Sequence, residues 1–153
     1  MTITILTHDA RWKGLGPTVK RGVEAVLAKQ KVKKAALTVL LTNDAEMKAL
    51  NAQYRGKNKP TNVLSFVNGA EEMDARGKTI KNLGDIAMAY ETISREAGEQ
   101  GKALKHHISH LAVHGTLHLL GYDHEVEAEA KAMENVEIAI LARMGIANPY
   151  ESE

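Results

Sequence analysis

The 153-residue chain contains no cysteine. Disulfides and thiolate metal sites are thereby excluded, and any metal must be held by His, Asp or Glu. The absence is also compatible with a reducing compartment. The N-terminal stretch MTITILTHDARW lacks a basic segment followed by an apolar run, so no signal peptide is expected. No apolar stretch approaches membrane-spanning length. The expected address is the cytoplasm. Repeats and low-complexity segments are missing too. What is present is an ordinary globular composition, 44% apolar and 25% charged. The length favours one domain over residues 1–153, long enough to bury a core without staples.

The net charge of +1 conceals an asymmetry. Residues 1–60 carry 12 Lys/Arg against 4 Asp/Glu, a net +8, and residues 61–153 carry 8 against 15, a net −7. A basic half can present one positive face to a polyanion. Solvated surface lysines explain the same count, and charge alone favours that plainer reading.

Periodicity predicts a mixed fold. TITIL alternates and reads as a strand. GPTVKRGVEAVLAKQ opens a helix with Pro17 in its first turn, striped by Val19, Val23, Val26 and Leu27. ALTVLLT is a second, rather buried strand. NDAEMKALNAQYR is a helix capped by Asn43, with Glu46 placed as in a capping box and Met47, Leu50 and Tyr54 facing inward. VLSFV and LGDIAMAY are strands joined through an exposed, hairpin-like excursion, as antiparallel neighbours would be. TISREAGEQ is a short helix broken at Gly98 or Gly101. KALKHHISHLAVHGTLHLL is apolar on most sides, which predicts a buried, central helix ended by Gly121. A last helix from about Val126 to Met144 buries Met133, Val136, Ile140 and Met144, and Gly145 closes it. The expected fold is α+β (mixed α/β). It has about four strands in a mixed sheet, with helices packed around a central buried helix. The histidine motif on that helix extends the expectation to a metal-binding, zincin-like arrangement.

The chemistry concentrates in HGTLHLLGYDH, residues 114–124. His114 and His118 stand four apart on the apolar helix, so their rings stack on one face. Gly121 lets the chain reverse, and His124 returns as a third ligand. Three protein ligands without an obvious fourth make an open, catalytic type of metal site whose remaining position takes water. Core or capping histidines are the plainer alternative. Three unpaired rings at this spacing around a helix-ending glycine would be costly to bury, which weighs against it. His110 shares the face one turn earlier, where packing or hydrogen bonding is the expected role. His106 and His107 are expected near the surface. Asp123 either orients a ligand ring or serves the turn.

The frame matches the H-E-x-x-H-x-x-G-x-x-H pattern of metzincin proteases except at Gly115. The glutamate normally there is the general base, and its loss weakens a peptidase reading. Phosphodiester cleavage depends chiefly on stabilising charge on nonbridging oxygens by a metal and a cationic donor. Arg55, leading into the loop of Lys57 and Lys59, is a candidate donor. By spacing alone it equally suits the C-terminal end of its own helix.

NAQYRGKNKPTNVLSF, LGDIAMAY and HISHLAVHGTLHLLGYDH together resemble the YbeY family of bacterial endoribonucleases. The resemblance runs from the first strand to LARMGI, with no departure at a key family position. It implies a single-strand-specific, metal-dependent endoribonuclease in ribosomal RNA processing, notably 3′-end maturation of 16S rRNA, and in ribosome quality control. It implies one zinc ion held by His114, His118 and His124 plus water, and a functional role for Arg55. Arg55 and His114 are then the expected catalytic residues, with metal-activated water as nucleophile and Arg55 stabilising phosphoryl charge. Attack by the RNA 2′-hydroxyl is the alternative. Implied partners are single-stranded rRNA, the small ribosomal subunit, a ribosomal protein and an assembly GTPase, with no membrane. Lys29, Lys31, Lys33, Lys34, Lys57 and Lys59 are candidates for tracking the backbone. Two other readings stand beside this one. One is a metzincin-like metalloprotease; the other is a non-catalytic, metal-stabilised ribosome-binding module.

Overall fold

A computed structural model describes residues 1–57, 59–123 and 125–151. The elements run β1 (Thr2–Thr7), a single 3-10 turn (Ala10–Trp12), α1 (Gly16–Lys29), β2 (Ala35–Thr42), α2 (Asp44–Arg55) and β3 (Val63–Val67). They continue as β4 (Glu71–Met73), β5 (Thr79–Ala89), α3 (Tyr90–Glu99), α4 (Leu104–Leu119) and α5 (Glu127–Arg143). The sheet has five strands rather than four, in the order β1-β2-β5-β3, with β4 on β5. β1, β2 and β5 are mutually parallel, and β3 and β4 run antiparallel to β5. The fifth strand arises because the polar excursion after β3 folds back as β4, and β5 starts within that excursion at Thr79.

Strand alternation sorts the core into layers. Leu37, Val39, Leu41, Ile86 and Met88 point to one face, against α1 and α4. Leu64, Ala87 and Ala89 point to the other, against Met47 of α2. Beyond α4 lies α5, whose Met133, Ile140 and Leu141 meet Val26, Val113 and Leu117. α4 is thus packed against β3 and β5, against α1, and against α5. Two glycines permit close approach. A Cβ at Gly22 would sit 3.0 Å from Ala112 Cβ where α1 crosses α4. Gly84 has φ +129°, and a Cβ there would meet Phe66 O at 2.0 Å.

Several expectations are refined. Asn43 Oδ1 does accept from Glu46 N at 2.9 Å, but the Glu46 carboxylate turns instead to Thr42 Oγ1 and His8 Nδ1. Tyr54 is not inward. It is 61% exposed and lies edge-on to Phe66. Tyr90 begins α3 rather than ending β5, and α3 continues through Gly98. His107 is buried, not superficial, because it faces α3, where its Nε2 lies 3.0 Å from Glu96 Oε1.

Candidate metal centre and active site

α4 ends at Leu119, and Gly121 takes φ +100° as the chain turns away. The spacing of four places the rings of His114 and His118 together, centroids 4.6 Å apart, with their Nε2 atoms separated by 3.1 Å. Two nitrogens bound to one ion at about 2.0–2.1 Å in tetrahedral geometry lie about 3.3 Å apart, close to this separation. His124 lies outside the described residues.

The other nitrogen of His114 has a built partner. Its Nδ1 bonds Glu137 Oε1, a carboxylate on α5 that is 0% exposed. Burial pushes the Glu137 pKa up, but His110, His114 and Tyr150 outweigh it and hold the group at about 2. Glu137 is therefore ionised near neutral pH and can only accept, so the proton sits on His114 Nδ1 and the Nε2 lone pair faces His118. This is the carboxylate–histidine pairing that supports metal-ligating imidazoles. The second carboxylate oxygen, Oε2, accepts from Tyr150 Oη, with His110 Nε2 3.8 Å away. His110 Nε2 also lies 3.1 Å from Tyr150 Oη.

His110, His114 and Glu137 form a second grouping compact enough to hold a cation. In that grouping both Glu137 oxygens already accept hydrogen bonds, and His114 would have to surrender its Nδ1 proton. The Nε2 pair of His114 and His118 needs neither change, so its donors also fit a metal.

These groups open into a cleft of about 680 Å³ lined by Arg55, Ser65, His110, His114, His118 and Tyr150, among others. Arg55 closes α2 as its last residue, and Gly56 follows in the left-handed conformation. The structure thus brings Arg55 to the same cleft as the two histidines. Asp123 also lines it, and its Oδ1 accepts from Glu125 N at 3.2 Å in the turn. None of Lys29, Lys31, Lys33, Lys34, Lys57 or Lys59 is among the lining residues. Lys29 ends α1, and the next three occupy the connection to β2, remote in sequence from every cleft element.

Gly115 has a packing reason. A Cβ there would lie 3.2 Å from Ile86 Cγ2 and 3.3 Å from both Ser65 Oγ and Val63 Cγ2. Ser65 Oγ donates to Gly115 O at 2.9 Å across the same contact. The helix rests directly on β3 and β5 at this residue.

Sequence reasoning missed Glu137 and Tyr150. Glu137 did carry a signal, since it is a charge on the stripe otherwise formed by Met133, Ile140 and Leu141. Tyr150 lies past the last helix, with no periodicity to place it.

Comparison with known proteins identifies the family. The sequence profile described as endoribonuclease YbeY matches residues 6–145. A curated relative named endoribonuclease YbeY from Rhodopseudomonas palustris (strain BisB18) is 53% identical over 137 residues, 88% of this chain and 82% of the relative. Another of the same name from Chelativorans sp. is 53% identical over 133 residues, 86% of this chain and 80% of the relative. A third, from Rhodopseudomonas palustris (strain ATCC BAA-98 / CGA009), is 56% identical over 119 residues, where the match spans 78% of this chain but 62% of that relative. A solution structure of a Thermotoga maritima protein shares the fold, with a TM-score of 0.58 at 24% identity over 98% of this chain and 99% of that one. The chain belongs to the endoribonuclease YbeY family.

Proposed function

We propose that this protein is a zinc-dependent endoribonuclease that cleaves single-stranded RNA. Residues 1–153 form one catalytic domain, with α4 as the central metal-binding helix of a zincin-like arrangement. The observation that carries the reading is the cleft that Arg55 shares with two histidine Nε2 atoms 3.1 Å apart. His114, His118 and His124 would hold the ion. When bound, the ion supplies Lewis acidity, activating water and drawing charge from phosphoryl oxygens.

The chain's own residues do the rest. Glu137 fixes the His114 tautomer and ring orientation. Arg55 offers planar, paired donors to the nonbridging oxygens as charge builds on them. The base that would serve a peptidase is absent at Gly115, where even a Cβ would meet Ile86, Ser65 and Val63 side-chain atoms at 3.2–3.3 Å. We place the activity in ribosomal RNA processing, at the 3′ end of 16S rRNA, and in ribosome quality control. The small ribosomal subunit, one of its proteins and an assembly GTPase are the proposed partners, and the cytoplasm is the proposed location.

One experiment separates this reading from its rivals. The protein is incubated with single-stranded RNA, duplex RNA and casein, with and without chelator, beside Arg55→Ala and His114→Ala. Cleavage is expected for single-stranded RNA alone, lost with chelator and in both variants. Chelator-resistant cleavage, or equal cleavage by the variants, overturns the reading. Casein cleavage that survives Arg55→Ala would indicate a protease. Loss of folding or ribosome binding in His114→Ala, with no hydrolysis by the parent, would indicate a binding module. Product end groups distinguish water from the RNA 2′-hydroxyl as nucleophile.

A further inference from the structure

After α5 the chain returns to the cleft through residues 146–151. Two hydrogen bonds help seat it. Lys102 Nζ donates to Pro149 O at 3.2 Å, and Tyr150 N donates to Asn148 Oδ1 at 2.8 Å. Together they bring Tyr150 against His110, rings edge to face with centroids 5.3 Å apart. Tyr150 lines the cleft and also a second cavity behind it.

We infer that Tyr150 is a positioning residue for the metal site: through Glu137, its hydroxyl holds the His114 ring in the orientation that turns Nε2 toward His118. The inference rests on the proposed reading of His114 and His118 as ligands. Glu137 is wholly buried, and Oε1 is committed to His114 Nδ1. Anchored at one oxygen, a carboxylate can swing about its last side-chain bond and carry the imidazole with it. Tyr150 Oη bonds the other oxygen and fixes the carboxylate plane. The order of donors follows from the carboxylate, which only accepts. Tyr150 O–H donates to Glu137 Oε2, which leaves its oxygen lone pairs to accept from His110 Nε2 at 3.1 Å. His110 thereby aligns the hydroxyl; His114 binds Oε1 directly, whereas His110 reaches the carboxylate through Tyr150. Outer partners of this kind typically change metal affinity 10–100-fold when removed.

The test is a zinc titration of the full chain against a chromophoric chelator. The variants are Tyr150→Phe, Glu137→Gln, the double variant and His118→Ala. Phenylalanine keeps the ring packed on His110 and removes only the hydroxyl. Tyr150→Phe is expected to weaken zinc binding about tenfold. The double variant is expected to bind no more weakly than Glu137→Gln alone, because the hydroxyl acts through the carboxylate. A residue that merely anchors the C-terminal segment would instead give additive losses. Wild-type affinity in Tyr150→Phe overturns the inference, as does an additive double variant. If His118→Ala loses zinc while Tyr150→Phe keeps it, this inference alone fails. If His118→Ala binds zinc as tightly as the parent, the ligand assignment fails and the inference falls with it.

Discussion

A Cβ placed on Gly115 would press on Ile86 Cγ2 at 3.2 Å and on Ser65 Oγ and Val63 Cγ2 at 3.3 Å. Placing the protease-type glutamate there by Gly115→Glu therefore crowds the contact between α4 and the sheet, and those side chains must shift to admit it. A destabilisation of about 1–3 kcal/mol or more is expected from overpacking, read from urea unfolding midpoints. Casein cleavage should not appear in the variant. A folded, equally stable Gly115→Glu protein would contradict this account of the residue. Arg55 raises the opposite case, an exposed side chain that lines the cleft. Arg55→Lys keeps a charge but loses the planar fork. Single-stranded RNA cleavage at saturating zinc should fall about 10²–10³-fold in Arg55→Ala, and most of that loss should persist in Arg55→Lys. Stability should move by no more than about 1 kcal/mol, the size of a helix-end charge effect. A parallel loss of stability and activity would return Arg55 to a capping role.

Among the elements, α2 and α3 begin side by side and cap each other. Asp44 Oδ1 accepts from Thr92 N at 3.2 Å and from Thr92 Oγ1 at 2.8 Å, while Asp44 N donates to Glu91 Oε1 at 2.9 Å. The Ala89 cap of α3 has no side-chain oxygen of its own, so Asp44 stands in for it. Asp44→Ala should cost about 0.5–2 kcal/mol with an unchanged denaturant slope, because it removes a cap without altering the surface exposed on unfolding. Asn43 was legible as the α2 cap because its donor lies three residues away. The Asp44 role was not, since its partner Thr92 is 48 positions distant. The same contrast separates β2, whose apolar run marks it as interior, from β4, whose Glu71–Met73 is exposed throughout and is a strand only because β5 pairs with it.

At the scale of the molecule, His107 joins α4 to α3 and to the start of β3. Its Nε2 lies 3.0 Å from Glu96 Oε1, which also accepts from Asn62 Nδ2 at 3.0 Å. Burial holds the His107 pKa below its ordinary 6.5, against the pull of Glu96 and with smaller help from His110 and Lys102. The native state therefore binds this proton less readily than the unfolded chain. Its stability is complete above about pH 6.5 and declines as pH falls toward the depressed native value, by at most about 1.4 kcal/mol per pH unit for the one group. His107→Gln, which can still donate to Glu96, should flatten that part of the curve in metal-free protein unfolded with urea between pH 7.5 and 5. An identical slope in both proteins would exclude His107 as the source. Charge also looks different at this scale. The net +8 of residues 1–60 does not gather in the cleft, where Arg55 is the sole Lys or Arg among the described lining residues, beside Asp123 and Glu125. On the proposed reading, phosphate recognition there would rest on the Arg55 guanidinium and the bound ion, more than on a basic channel.

What the sequence determined by itself is local and periodic. Histidines four apart on an apolar helix must share a face, a glycine after Leu120 can reverse the chain, and valines spaced by three and four must line one side of α1. These follow from helix geometry, whatever else the chain does. Tertiary structure decided whatever depends on which elements meet. It set a buried Glu137 behind His114, laid Tyr150 from beyond α5 onto that carboxylate, and carried Arg55 to the cleft from 59 positions before His114. It also decided that Gly115 is a contact point between α4 and the sheet. Such pairings join residues whose sequence separation follows no period, so only the packing of the layers around α4 selects them.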